Sequence, residues 1–150
     1  MAMYRIVPLG ALTTGFELRD EADRPAATFR GSAWLGSGQV FVGTEQHDLR
    51  REAARTYRVD GPAGAVALAR RTSPWSGRWA VVSGPTRYEL RRVRAVRRKW
   101  ELRLNGRPVG LIEPTHGVLN PGTADLPADL PLPAGVLVVA VVLTLWRNAD

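Results

Sequence analysis

The run Leu132-Pro-Ala-Gly-Val-Leu-Val-Val-Ala-Val-Val-Leu-Thr-Leu-Trp146 carries no charged side chain, and it constrains everything that precedes it. Residues that are apolar on every side must be surrounded by protein or by lipid. As a helix the run would be about 22 Å long, short of a hydrocarbon core of roughly 30 Å. Its valine content, without a clear helical period, also suits a central strand. A thin or tilted membrane anchor is the third form. Shelter for the run is common to all three, and a helix enclosed by the rest of the chain is the favoured one.

What could enclose it is a series of β-hairpins. In Trp100-Glu-Leu-Arg-Leu-Asn-Gly-Arg-Pro-Val-Gly-Leu-Ile112, the pair Asn105-Gly106 suits a two-residue type I′ turn, where both positions need positive φ. Pairing outward from that turn sets Leu104 against Arg107, Leu102 against Val109 and Trp100 against Leu111. These apolar residues then share one face, and Glu101 and Arg103 share the other. Phe16–Phe29 repeats the form around a polar turn, and Tyr57–Ala69 repeats it around Asp60-Gly61. Sequence neighbours that pair in this way make a meander.

Further strands are expected at Tyr4–Leu9, Val40–Val42, Arg78–Val82, Tyr88–Leu90 and Val93–Val96. Gly36-Ser37-Gly38 reads as a turn, Glu45–Ala54 as a short helix or irregular edge, and Gly117–Leu132 as an ordered connector rich in proline. A chain of 150 residues suits one domain spanning 1–150 with a single core. The absence of cysteine excludes disulfides, thiol nucleophiles and cysteine-ligated metal centres. The N-terminal residues lack the apolar stretch of a secretory signal, so a cytoplasmic location is expected.

The chemistry-bearing motifs are missing. Gly31-Ser-Ala-Trp-Leu-Gly-Ser-Gly38 lacks the GKS or GKT ending of a phosphate loop, and Ser37 does not sit in a nucleophile elbow. His47 and His116 are the only histidines, and neither has a local set of metal-ligating partners. Glu17, Asp20, Glu21 and Asp23 read as the solubilising acids of a turn. No catalytic, cofactor or metal site is assigned, and a non-enzymatic protein is expected.

Charge supplies the one surface signal. Between Arg87 and Arg107 lie nine basic and two acidic residues, a difference equal to the +7 of the whole chain. Arg87, Arg91, Arg92, Arg94, Arg97, Arg98 and Lys99 are the candidate anion-binding residues. Strand alternation would put them on both faces, so a turn or bulge near Ala95 is expected to gather them around a loop. An ordinary solvated surface is one reading of this stretch; arginine also suits phosphate through its bidentate fork, and the favoured specific partner is an anionic membrane surface contacted peripherally. Nucleic acid or an acidic protein is the competing partner.

The hairpins Phe16–Phe29, Tyr57–Ala69 and Trp100–Ile112, the late segment Ala124–Pro133 and the apolar end Val136–Trp146 together resemble the tubby C-terminal-like superfamily, and within it the LURP-one-related group. The resemblance implies a mainly β fold, a closed antiparallel tubby-like β-barrel around a central hydrophobic C-terminal helix. It also implies a possible headgroup-binding role for the basic stretch, because the superfamily includes phosphoinositide-binding domains and scramblase-related proteins. Fold alone does not carry function across.

Overall fold

The computed structural model describes residues 2–10, 15–32, 37–53, 55–73, 77–93, 98–115 and 122–149. Period-two alternation of buried and exposed residues resolves there into twelve strands. The first six are β1 (Ala2–Pro8), β2 (Gly15–Arg19), β3 (Pro25–Ser32), β4 (Ser37–Val42), β5 (Glu45–Ala53) and β6 (Thr56–Gly61). The circuit continues through β7 (Gly64–Arg71), β8 (Trp79–Ser83), β9 (Thr86–Arg92), β10 (Trp100–Leu104), β11 (Arg107–Pro114) and β12 (Gly122–Leu126). Each strand pairs antiparallel with its sequence neighbours, and β12 returns to β1 with Ala2 opposite Leu126 and Ile6 opposite Gly122. The sheet therefore closes into a barrel without an unpaired edge.

The apolar run becomes α1 (Leu132–Ala149), which lies inside that barrel. Pro133 falls in the first turn, where its missing N–H breaks no helical bond. Every residue from Val136 to Val142 is buried, and the helix packs against β3, β4, β6 and β7. On β7 the inward residues are Ala67 and Ala69, small side chains that let the helix approach; elsewhere the wall is filled by residues such as Phe29, Leu18, Leu90, Leu102 and Ile112. Of the three forms open to the run, the strand and the anchor are thus set aside. Among the described residues no helix is long and apolar enough to cross a membrane.

Several local readings are corrected. Of the stretch Glu45–Ala54, the described residues 45–53 are neither helix nor irregular edge: they form β5, hydrogen-bonded on both sides, to β4 and β6, with His47 and Leu49 facing inward and charged residues outward. The connector Gly117–Leu132 contains β12, the strand that closes the barrel. Ser37 and Gly38 belong to β4. The turn between β6 and β7 lies at 62–63, after Asp60-Gly61, with Gly64 at φ 118°. Strand β9 stops at Arg92, so Val93 is not in a strand, and 94–96 fall outside the described residues.

The hairpin at Asn105-Gly106 forms as expected, with φ of 52° and 79°, but its register shifts beyond the turn. Leu102 stands opposite Gly110 and Trp100 opposite Ile112, with an irregularity between Leu102 and Arg103. A β-bulge inserts one residue and exchanges the faces beyond it. Gly110 and Ile112 therefore point inward, and Val109 and Leu111 are only half-buried. A Cβ on Gly110 would lie 2.8 Å from the Asp125 carbonyl oxygen, so glycine permits the close passage of β11 beside β12.

A basic end of the barrel

In an up-and-down barrel, successive connections alternate between the two ends. The turns at 20–24, 43–44, 62–63, 84–85 and 105–106 lie at one end, where the helix enters after β12. The connections after β1, β3, β5, β7, β9 and β11 lie at the other, together with the C-terminus of α1. Cross-links between these elements bear out the grouping. The Arg71 N–H donates to the Arg55 carbonyl at 3.0 Å, and the Trp146 indole donates to the carbonyl of Arg98.

This loop end carries most of the positive charge. Strands β5 and β6 and their connection place Arg50, Arg51 and Arg55 there; β7 and β8 place Arg70, Arg71 and Arg78; β9 and β10 place Arg91, Arg92, Arg98 and Lys99; the helix adds Arg147. Among the described residues the acids beside these cations include Glu52, Glu113 and Glu101, the last opposite Arg91 across the β9–β10 pair. Glu52 is 3.3 Å from Arg58, and Glu113 is 3.3 Å from Lys99. Arg51, Arg55, Arg70, Arg78, Arg92, Arg98 and Arg147 are exposed. The last carbonyls of a helix are its negative pole, and Arg147 complements them.

The seven predicted anion-binding residues do not form one cluster. Arg94 and Arg97 lie outside the described residues. Arg92, Arg98 and Lys99 belong to the loop end, with the Val93 N–H donating to the Lys99 carbonyl at 2.8 Å across the base of the loop. Arg91 is drawn into a surface network, 3.2 Å from Glu101, which also receives Arg103 at 2.7 Å. Burial opposes the charge on Glu101, but hydrogen bonds from Arg103 and Arg91 outweigh it and hold the carboxyl below its ordinary range. Arg87 points outward near the opposite end of β9, beside the turn at 84–85.

Arg51, Arg55, Arg70, Arg71, Arg78 and Arg147 were not among the predicted residues. The signal that finds them is topological. Once the chain is a meander, loops separated by two strands must share an end, and the loops near 50–55, 70–78 and 91–99 then fall together.

No family model matches the sequence, and no curated protein matches it. Among solved structures, an Arabidopsis thaliana protein determined by X-ray diffraction aligns with a TM-score of 0.63 over 98% of this chain and 91% of that one, at 12% identity. Twelve antiparallel strands closed around one buried helix decide the architecture. The fold is tubby-like.

Within the tubby-like barrel, the remaining polar candidates lie in the wall and its turns. His47, the one described histidine, is buried, and its Nε2 lies 3.9 Å from Glu45. The acids of the 20–24 turn serve that turn. Asp20 accepts the N–H groups of Ala22 and Arg24 at 3.0 Å, Asp23 pairs with Arg5, and Glu17 lies 2.6 Å from Arg19. Among the described residues no group of three or more His, Cys, Asp or Glu side chains could hold a metal ion. Trp79 packs inside the wall beside Tyr57, ring centroids 6.0 Å apart, and Trp75 lies outside the described residues.

Proposed function

We propose that this chain is a non-enzymatic interaction domain of the LURP-one-related kind, whose basic loop end binds anionic phospholipid headgroups. One observation carries the reading: connections far apart in sequence bring Arg51, Arg55, Arg70, Arg78, Arg92, Arg98 and Arg147 to a single end of a rigid barrel. Each cation near an anionic bilayer contributes about 1 kcal/mol, so several on one end suffice for reversible adsorption. The described tryptophans at this end, Trp79, Trp100 and Trp146, are buried, so among the described residues the attraction is electrostatic. A cytoplasmic protein touching the inner leaflet peripherally fits this chemistry.

Salt-dependent co-sedimentation tests the proposal. The protein should pellet with vesicles of phosphatidylcholine containing phosphatidylserine, and not with phosphatidylcholine alone. Binding should fall steeply as salt shortens the screening length. Duplex and single-stranded DNA added as competitors separate the other polyanion. Failure to pellet with acidic vesicles at low salt overturns the lipid reading, and tight DNA binding in its place would assign the basic end to nucleic acid.

A further inference from the structure

Arg98 has φ of 70°, in the left-handed region that a residue with a side chain occupies only when its surroundings hold it there. Trp146 supplies that hold. Its indole Nε1 donates to the Arg98 carbonyl oxygen at 2.5 Å, and the Arg98 guanidinium lies over the indole ring, 5.5 Å from its centroid. Trp146 is itself seated in the barrel at 4% exposure, close enough to β12 that a Cβ on Gly122 would come within 3.0 Å of the ring. Lys99, next to Arg98 in the chain, is tied to β11 through Glu113. The backbone at Arg98 is thus fixed from inside the barrel by the last turns of the helix.

We infer that Trp146 is a positioning residue of the anion-binding end. The buried helix sets the conformation at Arg98, presenting its guanidinium at the rim, where a phosphate draws it from the indole face. The ring contact of a solvent-exposed guanidinium such as that of Arg98 is weak, whereas a phosphate takes two parallel N–H bonds from the same group. The inference rests on the proposed headgroup binding and deepens it: the element that fills the core also organises the surface that binds.

Two variants and their combination test this on vesicles of phosphatidylcholine with phosphatidylserine. Trp146→Phe keeps an aromatic ring and removes the N–H donor; Arg98→Ala removes the guanidinium. Each is expected to weaken binding by about fivefold, the contribution of one surface cation. The double variant should bind no more weakly than Arg98→Ala, because both changes remove one contact. Binding of Trp146→Phe equal to wild type, or losses that multiply in the double variant, overturns the inference while leaving the headgroup reading intact. Wild-type protein that ignores acidic vesicles overturns both.

A second measurement needs no variant. When wild type is titrated with short-chain phosphatidylserine, the Trp146 indole N–H resonance should shift and that of buried Trp79 should not. An unmoved Trp146 resonance at saturating lipid overturns the positioning role even if Trp146→Phe fails to fold.

Discussion

Arg87 and Arg92 lie on one strand, β9, yet belong to opposite ends of the barrel: Arg87 stands opposite Val82 beside a tight turn, and Arg92 opposite Trp100 at the rim. Five residue-to-residue steps along the strand separate them by roughly 17 Å. That exceeds the screening length of about 8 Å at physiological salt, so their charges act independently. Arg92→Glu, reversing one cation at the rim, is expected to weaken association with phosphatidylserine vesicles by about tenfold or more. Arg87→Glu should change it by less than about twofold at the same salt. Co-sedimentation isotherms of the two variants decide the point, and equal losses would mean that the barrel lies on its side against the bilayer.

The helix sets the stability of the barrel. Leu137 is fully buried, and Leu137→Ala removes side-chain volume that the closed wall cannot collapse to fill. The expected cost is about 2–5 kcal/mol. Ala69 tests the converse, since it is fully buried on the wall strand β7, against which the helix packs. Ala69→Leu is expected to cost about 1–3 kcal/mol through overpacking. Urea unfolding of both variants should show lower midpoints with an unchanged denaturant slope. Wild-type midpoints would place the helix outside the cooperative core.

The sequence made the enclosure of Val136–Trp146 legible because no charged residue interrupts the run, and it made the hairpins legible because alternation and turn chemistry agree. Two strands escaped the same reasoning. In β5, exposed charges at Glu45, Asp48, Arg50, Arg51 and Glu52 outnumber the inward His47 and Leu49, so the alternation is diluted where the strand runs past the core. In β12 only Ala124 and Leu126 supply inward side chains beside Gly122, too little apolar content to mark a strand between prolines. The basic end was legible only in part. Charge density along the chain identified residues 87–99, whereas charge density in space depends on which loops share an end, and that follows from topology.

The bulge in β11 has a consequence of its own. Gly110 sits at an inward position because the register has shifted by one, and the nearest atoms to an added Cβ are backbone and short side chain. Gly110→Ala should therefore destabilise the fold, by about 1–3 kcal/mol, although alanine is otherwise favoured over glycine in a strand. Val109→Ala, at a half-buried position, should cost less. Thermal unfolding of the pair distinguishes the shifted register from simple alternation, under which Val109 would be the costlier site.

Glu101 gives the barrel a pH dependence whose sign follows from its partners. Arg103 and Arg91 hold the carboxyl below its unfolded value, so its contribution is complete above the unfolded pKa and declines as pH falls through the folded one. Glu101→Gln removes the charge and leaves two guanidiniums with a weaker acceptor, at an expected cost of about 1–3 kcal/mol at neutral pH. The gap between variant and wild type should narrow as the pH is lowered below roughly 4, where the wild-type carboxyl also becomes neutral. Urea midpoints measured across that range provide the check. A gap that stays constant down to acid pH would show that the ionisation of Glu101 is not what joins β9 to β10.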